Sequence, residues 1–99
     1  MKRIILFVIT AVTLISLKVV AQEDPKDLFE RSWITEDSIE KKNLREKIIE
    51  LSPDSEYGLF CKGWFKTEKG EYEDAVAFFD NAIKQNNEFW QAYYHRGSS

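Results

Sequence analysis

Cys61 and His95 are the first residues to consider for chemistry, because the chain contains one cysteine and one histidine. A thiol beside an imidazole can act as a nucleophile. Neither residue lies in a Ser-His-Asp, Cys-His-Asn or metal-binding helix motif, and the chain has no glycine-rich phosphate loop. One cysteine also excludes an intramolecular disulfide and a multi-cysteine zinc site. We therefore predict a buried, inert Cys61, no enzymatic activity, no metal and no cofactor.

Three acidic residues, Glu71, Glu73 and Asp74, form a second candidate, in this case for binding a cation. They fall in the predicted first turn of a helix, where carboxylates interact favourably with the helix dipole. We prefer this structural interpretation and keep cation binding as the alternative.

The charge of the chain argues against a nucleic-acid partner. The 99 residues include 14 basic and 17 acidic side chains. Lys2, Arg3 and Lys18 are the only charged residues before Gln22, so the following 78 residues carry 11 basic and 17 acidic side chains, a net charge of −6. Phosphate contacts dominate affinity for nucleic acids, so a small domain this acidic, without a basic stripe, is a poor candidate for that partner.

Residues 1–21 have the three-part layout of a secretory signal peptide. Two basic residues open the segment, a mostly apolar stretch covers residues 4–17, and Ala21 offers a small side chain at a cut before Gln22. A bilayer core of about 30 Å needs roughly 20 apolar residues, and Lys18 interrupts the run before that. We therefore expect a cleaved leader and an exported protein, periplasmic or secreted. The alternative is a membrane anchor formed by residues 4–17, and membrane contact is expected only if that segment is retained.

From Gln22 onward the apolar residues recur at intervals of three and four, which predicts helices and an all-α protein. Gly70 is expected to take the left-handed conformation that ends a helix, and the last helix is predicted over residues 88–96, ending at Gly97. The residues expected to line one side of the second helix are Ile39, Leu44, Ile48 and Leu51. The residues predicted to cap the first three helices are Asp24, Thr35 and Ser52.

The sequence repeats at an interval of 34 residues, which places Gly63 on Gly97 and Phe60 on Tyr94. The interval divides the chain into a degenerate helical hairpin over 22–55, a complete unit over 56–89 and the first helix of a following repeat, or a capping helix, over 90–99. Two antiparallel helices approach closely only where small side chains face large ones. The complete unit offers the small residues Gly63, Ala75 and Ala82 opposite the large residues Phe79 and Tyr72.

Residues 56–97 resemble the tetratricopeptide repeat (TPR) family, whose unit is a 34-residue helix–turn–helix. Gly63, Ala75 and Phe79 match the family pattern, and Leu59 stands in place of its tryptophan. The resemblance implies antiparallel helix hairpins stacked in a short α-solenoid, with Leu59 as a further packing residue. It also implies a protein-interaction module without catalysis.

By the same resemblance, the first helix of each unit lines a concave face that binds a peptide or protein segment. Aromatic residues suit this role because large, rigid side chains dominate binding energy. The alternative is that Phe60 and Trp64 only pack against neighbouring helices, so that the protein is a structural unit of a larger repeat array or oligomer. Solvent exposure of Trp64 and Tyr94 would favour binding over stacking. The expected groove residues are Tyr57, Phe60, Trp64, Thr67, Glu68, Gln91 and Tyr94.

The C-terminal end is expected to be incompletely covered. Phe89, Trp90, Tyr93 and Tyr94 make it strongly apolar, whereas the terminal helix of a repeat array normally has a polar outer face. We therefore expect these 99 residues to form the front of a longer repeat array or to self-associate through the C-terminal helix.

Overall fold

The computed structural model of the chain describes residues 23–98, and this part is built from α-helices joined by short turns. The leader predicted over residues 1–21 and its cut before Gln22 lie outside the described residues. Among residues 23–98 there is no strand, which confirms the all-α class. The helices are α1 (Pro25–Ile34), α2 (Ser38–Leu51), α3 (Glu56–Glu68), α4 (Tyr72–Gln85) and α5 (Trp90–Ser98).

The turn between α1 and α2 is organised by Asp37 rather than by Thr35. Asp24 caps α1 as predicted, accepting a backbone hydrogen bond from the first turn at 3.0 Å. Thr35 instead ends α1, and its hydroxyl accepts a hydrogen bond from the Asp37 N–H at 3.3 Å. The Asp37 carboxylate then accepts two backbone N–H groups from the first turn of α2, so the predicted Thr35 cap is wrong.

Ser55, and not Ser52 as predicted, caps α3. Its hydroxyl accepts a hydrogen bond from the Gly58 N–H at 3.1 Å, whereas Ser52 ends α2 by donating its N–H to the Ile48 carbonyl. Pro53 lies in the turn rather than at the first helical position. The reason is steric, because the turn crosses directly over Gly58, where a Cβ atom would clash with the Ser52 carbonyl oxygen.

The later turns follow the sequence more closely. Gly70 has a φ of 78°, in the left-handed region, as predicted. Asn86 stops α4, and its side-chain oxygen accepts a hydrogen bond from the Glu88 N–H at 3.0 Å. This turn delays the start of α5 relative to the predicted range of 88–96. The helix also continues through Gly97, contrary to the prediction that it ends there.

Phenylalanine rings from four segments meet in the core. The ring centroid of Phe60, on α3, lies 5.0 Å from that of Phe29 on α1 and 5.5 Å from that of Phe79 on α4. It also lies 5.6 Å from the ring of Phe89, which precedes α5. All four rings are buried, at separations where aromatic pairs attract. Phe60 therefore holds α1, α4 and the start of α5 together.

The α3–α4 hairpin has the small-to-large packing that the sequence predicts. A Cβ atom at Gly63 would lie 2.7 Å from Cε1 of Phe79, so glycine is what lets the two helices approach this closely. Ala75 and Ala82 are fully buried, and Leu59 is half-buried against the core.

Three apolar side chains are more exposed than predicted. Tyr72, expected to pack inside the hairpin, is 52% exposed, and that prediction is wrong. On α2, Leu44 and Ile48 are buried as expected, but Ile39 and Leu51 are exposed. All three exposed residues lie in the first or last turn of a helix, where less of the neighbouring helix faces them.

Candidate functional site

Arg45, on α2, is a buried charge that the sequence analysis missed, since it is only 2% exposed. Its Nε donates to the Ser32 hydroxyl at 3.3 Å, and that hydroxyl donates to the Phe29 carbonyl at 2.7 Å. The guanidinium carbon lies 4.6 Å from the ring centroid of Trp64, within the range of cation–π attraction. Burial lowers the pKa of Arg45, because the charged form loses hydration. None of the ion pairs among residues 23–98 involves Arg45.

Trp64, on α3, forms one wall of three adjoining cavities. The smallest cavity, of about 140 Å³, is also lined by Trp33, Lys41, Arg45 and His95. Burial lowers the pKa of His95, and the charges of Arg45 and Lys41 lower it further. The inner side of the Trp64 indole therefore faces a positively charged environment.

The two larger cavities beside Trp64 form an open cleft between the first half of α2 and the last half of α3. We call it the α2–α3 cleft and define it by the residues that both cavities share, which are Lys42, Glu46, Trp64 and Glu68. The cavities have volumes of about 710 and 430 Å³, and Phe65 adds an apolar surface to the smaller one. This volume is in the range of known ligand sites, and the rim carries charges of both signs.

A second depression lies on the other side of Phe65, between α2, α3 and α4. Its volume is about 440 Å³, and its apolar lining comes from Ile49, Phe65 and Phe78. The Lys62 ammonium lies 5.9 Å from the Phe78 ring centroid at the rim. Sequence analysis missed this depression because apolar residues at helical spacing are equally consistent with core positions.

The concave face expected along the first helix of each unit is closed by aromatic packing. Trp33 of α1 and Trp90 of α5 have ring centroids 5.2 Å apart, and Phe29 and Phe89 have centroids 5.3 Å apart. Tyr57 packs against both of these phenylalanines, at 5.2 and 5.6 Å. The face therefore does not form an open groove over Tyr57.

Phe60 was predicted to face a partner, but it is fully buried, and that prediction is wrong. The reason is that α1 and the start of α5 both pack over its ring. The Thr67 hydroxyl donates to the Gly63 carbonyl of its own helix at 3.0 Å. Among the predicted groove residues, Trp64 and Glu68 do come together, in the α2–α3 cleft.

The two groove residues predicted on α5 lie outside the α2–α3 cleft. Gln91 is half-buried, whereas Tyr94 is 64% exposed. The structure thus divides the predicted groove into a core part, a cleft part and an α5 part.

Cys61 is buried, and burial raises its pKa to about 12, which confirms the prediction of an inert thiol. Nucleophilic attack requires the thiolate, so the Cys61–His95 nucleophile is contradicted. The His95 ring packs against Phe60 and Phe79, with centroids 5.1 and 5.9 Å apart. His95 therefore attaches α5 to the core.

The acidic run at the start of α4 is partly neutralised by an ion pair. Lys66 Nζ lies 2.7 Å from Glu71 Oε2, and this contact raises the pKa of Lys66 and lowers that of Glu71. Residues 23–98 contain no group of three His, Cys, Asp or Glu side chains placed to hold a metal ion. Over the same range, no helix combines the length and apolar character needed to cross a bilayer.

A comparison with known proteins found no match among protein-family models, curated proteins or solved structures. The function is therefore argued from the geometry of residues 23–98. The resemblance to TPR proteins remains a prediction from the sequence.

Proposed function

We propose that this protein is an exported interaction module of TPR-like helical hairpins that binds a peptide or protein segment in the α2–α3 cleft, without catalysis. Trp64 carries this proposal. It is half-buried, its indole stacks on the buried guanidinium of Arg45, and it lines cavities of about 430 and 710 Å³. The exposure of Tyr94 also favours a binding module over a unit that only stacks.

Two features support the TPR-like arrangement within this proposal. Each helix packs on the next along the chain, and α1 also packs on α3, as expected of stacked hairpins. In addition, the Gly63–Phe79 contact lies between α3 and α4, where the resemblance places small-to-large packing.

Trp64 is held in place before any partner arrives. Arg45 lies against its inner side, so ordering the indole on binding costs little conformational entropy. Two lysines and two glutamates line the smaller cavity, so their formal charges balance. We therefore expect affinity to come mainly from apolar and aromatic contact, with charge contributing less.

Substitution of Trp64 by alanine tests the proposal. The probe is a peptide selected for binding from a phage-displayed library of random sequences. Trp64→Ala should weaken its binding by about 2 kcal/mol or more, because a tryptophan at the centre of a site dominates affinity. Isothermal titration calorimetry measures the loss, and the helical circular-dichroism signal should be retained.

Tyr72→Ala is the matched control, because Tyr72 is an exposed aromatic residue on a helix and lies outside the cleft. It should leave the affinity for the same peptide unchanged. Loss of the helical signal in Trp64→Ala would return that residue to the core and refute the cleft assignment. Equal weakening by the two variants would refute it as well.

The alternative function is a purely structural unit that stacks in a larger repeat array or oligomer. The observation that favours it is the exposure of large aromatic side chains on α5, namely Trp90, Tyr93 and Tyr94. A stacking unit is expected to cover such residues with a neighbouring helix.

A further inference from the structure

Four residues form an uncovered line along α5, which we call the aromatic stripe: Trp90, Tyr93, Tyr94 and Gly97. Their spacing of three, one and three residues places them on one side of the helix. Trp90 is 56% exposed, Tyr94 is 64% exposed, and Tyr93 is also exposed. Ala92, on the opposite side of α5, is fully buried. The helix therefore packs through one face and presents an aromatic face to solvent.

Gly97 and Gly63 are one repeat interval apart, but they differ in what lies over them. At Gly63 a Cβ atom would lie 2.7 Å from the Phe79 ring. At Gly97 a Cβ atom would meet nothing within 4 Å. The same register position is thus covered by an aromatic ring in the complete unit and left open on α5.

We propose that α5 pairs with α5 of a second copy of this chain, antiparallel about a two-fold axis, so that Trp90 of each copy covers Gly97 of the other. In an antiparallel pair centred between Tyr93 and Tyr94, position 90 faces position 97 and position 93 faces position 94. The largest residue of the aromatic stripe then meets the smallest at both ends, as an isologous interface requires. This self-complementarity identifies a second copy as the occupant.

The charge beside the aromatic stripe is compatible with this pairing. Arg96 Nη1 lies 3.1 Å from Asp80 Oδ1 on α4, and the guanidinium carbon lies 5.2 Å from the Tyr93 ring centroid. The cation is therefore paired within its own copy. The interface uses none of the residues of the α2–α3 cleft, so it stands or falls independently of the proposed function.

Analytical ultracentrifugation tests the proposal on the full chain, in the form that the host produces and with its N-terminus identified by mass spectrometry. We expect a concentration-dependent equilibrium between monomer and dimer. Gly97→Leu and Trp90→Ala should each weaken dimerisation about tenfold or more. Gly97→Leu should do so without lowering the melting temperature of the monomer, since the site is open there. Ile39→Ser, which removes an exposed apolar side chain from α2, is the control and should leave dimerisation unchanged.

Disulfide cross-linking tests the orientation of the two helices. A mixture of Trp90→Cys copies with Gly97→Cys copies should cross-link between the two forms on oxidation, whereas Trp90→Cys copies alone should not. Cys61 does not compete, because it is buried. A monomer at every concentration, a dimer that survives Gly97→Leu, or cross-linking of Trp90→Cys copies to one another would each overturn the proposal.

Discussion

The two helical hairpins place opposite chemistry at the same register position. Phe79 in the α3–α4 hairpin follows Arg45 in the α1–α2 hairpin by 34 residues, so the two are equivalent under the repeat interval. Phe79 packs on the backbone of Gly63, whereas Arg45 hydrogen-bonds Ser32 and lies against Trp64. One hairpin is thus closed by apolar contact and the other by a buried cation. The comparison shows that this position keeps a long or bulky side chain while its polarity changes.

The polar hairpin is also the one beside the α2–α3 cleft. Because Arg45 contacts Ser32 on α1 and Trp64 on α3, a single side chain connects the hairpin interior to the wall of the cleft. A phenylalanine at this position would pack, but it could not donate the hydrogen bond to Ser32. Phe79 has the simpler role of filling the space that Gly63 leaves.

Substituting the two equivalent residues should have unequal costs, and this is the largest effect that we expect. Phe79→Ala removes a buried ring and should lower the free energy of unfolding by about 3–5 kcal/mol. Arg45→Met keeps most of the volume and removes the buried charge, so it should change that free energy by less than about 1.5 kcal/mol in either direction. Urea unfolding followed by far-ultraviolet circular dichroism measures both. A loss for Arg45→Met as large as that for Phe79→Ala would mean that the buried cation stabilises its hairpin as strongly as the ring does.

The two equivalent glycines sharpen the same comparison with a smaller effect. Gly63→Ala forces a methyl group against the Phe79 ring and should cost about 1–3 kcal/mol of stability. Gly97→Ala enters open space in a helix and should stabilise the monomer by up to about 1 kcal/mol. Thermal melts at dilutions where the chain is monomeric measure the difference. Effects of the same sign would contradict the assigned packing.

Acid should weaken the docking of α5 through His95, and this is the smallest effect that we expect. Burial, followed by the charges of Arg45 and Lys41, lowers the pKa of His95 in the folded chain. The unfolded chain, with a histidine pKa of about 6.5, therefore binds more protons in this range. The stability that depends on neutral His95 is present above about pH 6.5 and is lost as the pH falls through the folded pKa.

His95→Gln should remove this part of the pH dependence. Thermal melts of the two proteins between about pH 7 and pH 5.5 measure the difference, in a range above the titration of most carboxylates. Parallel pH profiles for the two proteins would argue against His95 as the titrating group.

Local signals in the sequence predicted the helices and the α3–α4 hairpin correctly, because periodicity and small-to-large spacing act over a few turns. Gly70 was predicted for the same reason. The caps of α2 and α3 were predicted wrongly because each turn offers two candidate residues, Thr35 or Asp37 and Ser52 or Ser55. Only the hydrogen bonds of the folded turn decide between them.

The candidate site depended on contacts between residues far apart in the chain, which the sequence pattern does not contain. An arginine on an amphipathic helix is expected on the polar face, and Arg45 is buried because Ser32 and Trp64 receive it. Phe60 was assigned to a groove because Trp33 and Trp90, which approach each other across the concave face, are separated by most of the described chain.

The burial of Cys61 has a kinetic consequence. Alkylating reagents attack the thiolate, and a thiol with a pKa of about 12 beneath the core is neither ionised nor reachable in the native state. Labelling therefore proceeds only through molecules whose core has opened, at a rate set by how often or how fully that opening occurs. Because the chain has a single cysteine, each labelled molecule records one opening event at one known position. The protein thus contains its own reporter of native-state opening.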